Sequence, residues 1–288
     1  MRYIFIRENA SVWPVRVQCA VLDVMSSGYY AWKKNPLSRR AEKDAKLRPI
    51  IQRTFDTYKG IYGSPRITVE VNAQGHRANH KQVERLMQEM GLNARPPKRH
   101  VVTTNSKHDD PISPDLLQQH FTAEKPNQKW VGDITYIETG EGWLYLATVL
   151  DLYSRKMVGW AFSDSLATPI VSDALTMAVQ QRKPTGSLIF HSDRGCQYSS
   201  AAYRTALTLA NITPSMSRKG CCYDNAVAES FFHSLKTEWV RGRCYATRAA
   251  AQLSIFSYIE AFYNRVRRHS TINYLSPNDY ELQTGTAA

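Results

Sequence analysis

The stretch KWVGDITYIE, Lys129 to Glu138, reads as a β-strand and marks the point where the chain changes character. The two-residue alternation of a strand puts Val131, Asp133, Thr135 and Ile137 on one face. A carboxylate among apolar strand neighbours costs free energy unless it is paired or binds a cation. Downstream, GWLYLATVLDL (142–152) and KMVGWAFSD (156–164) are two further strand-like runs, separated by short turns containing Gly or Ser. ATPIVSDALTMAVQQ (167–181) follows as a helix. LIFHSD (188–193) is a short apolar run ending in polar residues, the pattern of a buried central strand. SSAAYRTALTLA (199–210) reads as a helix, ITPSM (212–216) as a short strand and DNAVAESFFHSLKTEW (224–239) as a helix. A long helix from Thr247 to Arg268 closes the chain. This order implies an α/β layer in which an antiparallel three-strand meander joins parallel strands.

Upstream of Lys129 the texture is helical. Asn79 is a good N-cap, with Gln82 placed for a capping box, and Val83, Leu86, Met87 and Met90 follow at helical spacing until Gly91. Ile50, Ile51, Thr54, Phe55 and Tyr58 make an earlier stripe, and YGSPRI is a loop leading to a short helix near Ile67–Ala73. Short helices with tight turns and many basic residues suggest a helix-turn-helix DNA-binding region over 41–95, and a plain three-helix bundle fits the same pattern. Residues 1–40 are expected to be an N-terminal helical segment. Residues 96–126 read as a linker, because Pro96, Pro97, Pro111, Pro114 and Pro126 interrupt regular structure.

The chain has 288 residues, 37 Lys+Arg against 25 Asp+Glu, and a net charge of +12. At 43% hydrophobic it has the material for a buried core and is not a disordered chain. The most apolar run, WLYLATVLDL, is about half of the ~20 residues a spanning helix needs, so no membrane association is expected. The five cysteines include an adjacent pair and no C-x-x-C, which reads as reduced thiols in a cytoplasmic protein. Residues 1–125 carry a net +9 and residues 126–288 a net +3. A basic balance points to a polyanionic partner, most simply nucleic acid.

Three carboxylates stand out. Asp133 lies within a strand. Asp193 ends a central one, where open α/β sheets place ligands, although turns and caps also favour Asp there. Glu229 lies on the helix face opposite Val227, with Asn225, His233 and Lys236, and an ordinary solvated face reads the same way. Together, oxygen donors of this kind suit a hard cation such as Mg²⁺. Two such ions ~4 Å apart activate an attacking oxygen and stabilise a leaving one in phosphodiester chemistry.

W-x-G-D-I-T-Y (Trp130 to Tyr136), H-S-D-R-G-x-Q-Y (His191 to Tyr198) and S-x-K-G-x-x-x-D-N-A-x-x-E-S-F (Ser217 to Phe231) occur in that order, with 35 residues between Asp193 and Glu229. This resembles the DD(35)E signature of retroviral-integrase-like transposases. More closely, the chain is similar to the OrfB product of bacterial two-frame insertion sequences, the group named after insertion sequence three. Y-N-R-x-R-R-H (Tyr263 to His269), followed by Leu275-Ser276-Pro277, matches that group's ending.

The resemblance covers essentially the whole chain. It implies an RNase H-like integrase catalytic core over 127–240, a mixed five-stranded sheet flanked by helices, followed by a C-terminal helix and tail over 241–288. It implies Asp133, Asp193 and Glu229 as catalytic metal ligands, Mg²⁺ (or Mn²⁺) as two ions, and DNA cleavage and strand transfer in the bacterial cytoplasm. It carries over Lys236 as a DNA contact. Arg194, Arg218 and Lys219 are candidate guides for the DNA backbone, and Gln197, Tyr198 and Asn225 candidates to touch bases or order the site. His191 is either a group that positions Asp193 or a packed core histidine. No zinc is expected: His76 and His80 have suitable spacing, but the next cysteine is Cys196. The chain reads as the OrfB part of an OrfA–OrfB system, acting as a homo-oligomer on DNA. A nuclease that cuts without joining, or a catalytically silent DNA-binding regulator, is the rival reading.

Overall fold

The computed structural model describes residues 1–34, 39–95, 111–219 and 221–285. The chain divides into two compact units, Met1–Ala94 and Arg95–Ala288. Residues 96–110 of the expected linker lie outside the described residues, and 111–128 carry no helix or strand.

The first unit is helical throughout its described residues: α1 (Arg2–Glu8), α2 (Val15–Val21), α3 (Ser26–Lys34), α4 (Arg39–Thr57), α5 (Ser64–Ala73) and α6 (His80–Glu89). Pro65 sits in the first turn of α5, where its missing N–H has no helical acceptor to lose. The Asn79 side chain caps α6 by accepting from the Gln82 N–H at 2.8 Å. The reciprocal half of the expected capping box is absent, because the Gln82 amide donates to Asp44 of α4 at 2.7 Å. Arg85 adds a 2.6 Å ion pair to the same carboxylate. The charge-assisted bond to the neighbouring helix outweighs the neutral bond that Gln82 would accept from the Asn79 N–H. Gly91 ends α6 at φ +68, with the Leu92 N–H bonded back to Met87 O.

The second unit is built on a five-stranded sheet of order β3-β2-β1-β4-β5. Its strands are β1 (Lys129–Thr139), β2 (Gly142–Asp151), β3 (Met157–Ser163), β4 (Leu188–Ser192) and β5 (Ile212–Met216). β1–β2 and β2–β3 are antiparallel, whereas β1–β4 and β4–β5 are parallel. The helices are α7 (Pro169–Arg182), α8 (Cys196–Ser199), α9 (Ala201–Leu209), α10 (Ala226–Leu235), α11 (Arg248–Ser257) and α12 (Pro277–Gln283).

Each sheet face has its own core. Trp130, Val149, Val158 and Phe190 pack with Ile170, Ala174 and Ala178 of α7 and Tyr203 of α9. Val131, Ile137, Leu144 and Leu146 pack with Phe231 and Leu235 of α10 and Ile255 of α11. Gly159 brings α7 close to β3: a Cβ there would lie 2.3 Å from Ala174 O.

The closing helix departs from expectation. It starts at Arg248 with Thr247 as its cap, widens into a π-helical segment over Tyr258–Tyr263 and ends there rather than at Arg268. Arg267 is drawn instead into a buried pair with Glu238 (Nη2–Oε1 2.6 Å).

Candidate active site

Strand register brings the two aspartates together. β1 and β4 run parallel with Val131 opposite His191 as their last pair. Two residues further along each chain come Asp133 and Asp193, just where β4 stops. The Asp193 carboxylate is held by its own turn, accepting the Gly195 N–H at 3.0 Å. Asp133 accepts the Ile134 N–H at 2.8 Å. α10 supplies the third group: its buried stripe of Ala228, Phe231, Phe232 and Leu235 covers the β1 face that carries Asp133. Glu229 therefore lies on the half-buried flank of the helix, within electrostatic reach of Asp133.

Burial pushes the Asp133 carboxyl well above the usual carboxylate range, and the negative charges of Asp193 and then Glu229 push it further. Lys236 opposes this. It begins a π-helical segment, Lys236–Val240, that continues α10, and its ammonium lies 4.8 Å from the centre of the Tyr136 ring on β1. Burial lowers the Lys236 pKa while the charge of Asp133 raises it.

The loop between β5 and α10 is fastened by Asp224, which is fully buried. Its carboxylate accepts a fork from the Arg218 guanidinium (Nε 3.0 Å, Nη2 2.9 Å), the Arg218 N–H, and the Gln119 amide at 2.8 Å. Asn225 beside it is buried and donates to Gly132 O on β1 at 3.3 Å, and its Oδ1 has no hydrogen-bond partner. These two residues seat the start of α10 against β1.

The other residues singled out in the sequence fall into two groups. Tyr198 is 2% exposed, in the core among Phe190 and Tyr203, and Gln197 is buried with its amide donating to Leu166 O at 3.1 Å. Tyr198, Gln197 and Asn225 are all buried in this structure. Arg194 is half-buried and donates to Ser217 O at 2.6 Å, whereas Arg218 and Lys219 are exposed. His191 is the packed core histidine. Its ring nitrogens meet the hydroxyls of Ser215 (2.9 Å) and Ser217 (3.2 Å), and burial lowers its pKa.

Sequence reasoning missed three partners: Asp224, Tyr136 and the Glu238–Arg267 pair. Asp224 and Tyr136 stand inside the quoted motifs, and Arg267 inside Y-N-R-x-R-R-H, so the signal was present without a contact to interpret it. Among the described residues no three His, Cys, Asp or Glu side chains are grouped as a ready-made ion cage. Convergent carboxylates that repel one another nonetheless fit a hard cation whose remaining ligands are waters and substrate phosphate.

An integrase core domain family matches residues 123–222, a second integrase core domain family matches 229–284, and an HTH-like domain family matches 41–100. Transposase InsF for insertion sequence IS3A of Escherichia coli (strain K12) is 43% identical over 283 residues, 98% of each chain. This chain belongs to the IS3 family of transposases. The Insertion element IS600 uncharacterized 31 kDa protein of Shigella sonnei is 39% identical over 259 residues, 90% of this chain and 95% of that one. The catalytic core domain of BIV integrase overlaps 55% of this chain and 96% of its own at 17% identity and a TM-score of 0.41. The IS3-family chain is thus a polynucleotidyl transferase that acts on DNA, with an HTH-like DNA-binding region ahead of an integrase core of the divalent-metal-dependent type. The expected fold class is borne out in the mixed sheet and the helical region before it. Among the described residues no helix is long and apolar enough to cross a membrane.

Proposed function

We propose that Asp133, Asp193 and Glu229 are the catalytic carboxylates of this transposase and hold Mg²⁺, or Mn²⁺ in its place, as two ions. The observation that carries this reading is the convergence of three negative groups from β1, the end of β4 and α10, with burial and mutual repulsion raising the Asp133 carboxyl. When bound, the cations supply positive charge that lowers the pKa of the attacking oxygen and stabilises the leaving oxygen.

The side chains divide the remaining work. β1, the middle strand of the sheet, fixes Asp133, the Gly195 N–H orients Asp193, and Asp224 with Asn225 seats the helix that carries Glu229. Lys236, Arg194 and Lys219 meet the DNA phosphates, and Arg218 combines an exposed charge with its grip on Asp224. Gln197 and Tyr198 order the segment that follows Asp193, the Tyr198 N–H donating to Gly195 O and the Gln197 amide to Leu166 O. In nicking, the oxygen of water bonds to phosphorus as the P–O3′ bond breaks, leaving a 3′-OH and a 5′-phosphate. In joining, that 3′-OH bonds to a target phosphorus and the target P–O3′ bond breaks in turn. The proton leaves the nucleophile and the departing oxygen gains one, with no covalent protein–DNA intermediate.

The wider reading is an OrfB chain working in the bacterial cytoplasm on nucleoid DNA. It acts with an OrfA portion, separate or fused, as a homo-oligomer holding two DNA ends. The segments are 1–40 (helical), 41–95 (DNA-binding), 96–126 (linker), 127–240 (catalytic core) and 241–288 (closing helix and tail).

The test is a supercoiled-plasmid assay with an end-bearing oligonucleotide, in Mg²⁺, Mn²⁺ or EDTA, comparing the natural chain with Glu229→Gln, each with and without OrfA. Cation-dependent nicking and joined product are expected from the natural chain with OrfA, and neither from Glu229→Gln. Nicking without joined product under every condition would replace transposase chemistry by nuclease chemistry at this site. Equal activity from Glu229→Gln would remove Glu229 from the site.

A further inference from the structure

The first 34 residues lie ahead of the matched HTH-like region (41–100), yet they hold a helix-turn-helix of their own. α2 and α3 are joined by four residues, Leu22–Met25. α2 closes with Asp23 in the left-handed region at φ +49, its N–H bonded to Ala20 O, and with the Val24 N–H bonded to Cys19 O at 2.9 Å. That pair of bonds is a Schellman stop, with Asp at the position glycine usually takes. The turn folds α3 back on α2, and the small Cys19, 2% exposed, packs with Tyr29, 0% exposed, and Ile6 of α1. Val15, Leu22, Val24 and Trp32 close round them. A short helix, a tight turn with a left-handed residue, and a second helix packed on the first at a small buried side chain are the parts of a helix-turn-helix.

The buried residues define what is left outside. Ser26, Ser27, Tyr30, Ala31, Lys33 and Lys34 of α3 are all exposed, Tyr30 to 56%. This surface offers hydroxyls and ammonium groups and no acidic side chain. Those are the groups that bond to phosphates and to base edges in a major groove. Met25, exposed at the start of α3, adds an apolar contact of the kind a thymine methyl takes. Arg16 is exposed in the first turn of α2, which crosses the DNA backbone in this motif. The segment carries five basic residues (Arg2, Arg7, Arg16, Lys33, Lys34) against two acidic ones (Glu8, Asp23).

We propose that α2 and α3 form a second duplex-DNA-binding unit, separate from the 41–95 region, with α3 reading the major groove and Arg16 and Lys33 on flanking phosphates. A protein partner is the competing occupant, since Val17 and Val21 are exposed on α2. The charge and hydrogen-bonding groups of α3 favour DNA. The proposal is independent of the catalytic reading, because binding is read in EDTA, where no strand chemistry runs.

The experiment uses the full chain and a pool of duplexes with a randomised central block. Selected sequences are compared for the natural chain, Ser27→Ala/Tyr30→Ala and Lys33→Ala/Lys34→Ala, and fluorescence anisotropy then gives affinities for the winning duplex and a scrambled one. Ser27→Ala/Tyr30→Ala is expected to lose preference at one block of adjacent base pairs and to bind the winning duplex about tenfold more weakly. Lys33→Ala/Lys34→Ala is expected to weaken binding to both duplexes alike and to flatten its salt dependence. All four substituted positions are exposed, and unchanged thermal midpoints establish that the fold is kept. Unaltered selected sequences and affinities in both variants would overturn the proposal. So would a change in assembly mass by light scattering with DNA preference intact, which would assign the surface to a protein contact.

Discussion

Asp133 is held where two other negative groups face it, so its charge works against folding when no cation is bound. Asp133→Asn keeps the shape and removes that repulsion. Without divalent cations the variant is expected to melt at a higher temperature than the natural chain. Titrating Mg²⁺ or Mn²⁺ should raise the midpoint of the natural chain only, since a ligand that binds the folded state stabilises it. A cation-induced rise of equal size in both proteins would take Asp133 out of the ligand set. Asp224 behaves in the opposite sense: the Arg218 hydrogen bonds hold its carboxyl well below the usual range. A depressed carboxylate pKa contributes stability above the unfolded value of about 3.9 and loses it as pH falls toward the folded value. Asp224→Asn is therefore expected to unfold more easily than the natural chain at pH 7, with the gap narrowing at more acid pH as the natural chain loses the same contribution. Thermal unfolding of both proteins across that range reads it directly. Asp133 stands out in the sequence and Asp224 lies unremarked inside a motif, and the sequence shows the electrostatics of neither. Alternation along β1 says nothing about the register of β4, and a loop Asp before a helix looks the same whether or not an arginine folds back on it.

At the scale of elements, the Glu238–Arg267 pair governs the end of α10 and the segment that continues it. Arg267 forks onto Glu238 (Nε–Oε2 2.7 Å, Nη2–Oε1 2.6 Å) and also donates to Ser234 of α10 at 2.9 Å. The Tyr258 hydroxyl completes the carboxylate at 2.9 Å. The fork thus ties α10 and the π-helical segment that begins with Lys236 to the tail of the chain. Arg267→Met would leave a buried carboxylate without its cation, a loss of about 3–5 kcal/mol. Glu238→Leu/Arg267→Met, which removes both charges, should recover most of that in chemical denaturation, and a double variant no better than the single would show that the fork contributes nothing beyond packing. This pair also marks where reading by periodicity stops. β1 to β4 and α7 follow from alternation, apolar runs and proline placement, all local signals. Nothing local interrupts the spacing of the closing helix before Arg268. It ends at Tyr263 because Arg267 is needed elsewhere, a long-range demand that a single sequence does not display. The turn between α2 and α3 is silent in the sequence for a related reason: its stop residue is Asp23 rather than glycine, so it carries none of the usual punctuation.

For the whole molecule, the uneven charge separates two kinds of work. The net +9 of residues 1–125 sits mostly in the helical unit, while the three converging carboxylates lie in the second unit. DNA affinity should therefore come chiefly from many phosphate contacts and strand chemistry from a few residues. Counterion release makes the first term steeply salt-dependent. A protein making about six phosphate contacts loses on the order of a thousandfold in affinity between about 50 and 200 mM salt. Binding of this chain to a duplex is expected to follow such a slope, to be unchanged by EDTA, and to survive Asp193→Asn within a few-fold, while nicking disappears under EDTA and in that variant. The two readouts, taken on the same samples by anisotropy and plasmid relaxation, must come apart for this division to hold. A large loss of binding on chelation or in Asp193→Asn would mean that the cations bridge protein to DNA as a main source of affinity. The basic surface would then serve to bring DNA to the protein rather than to hold it there.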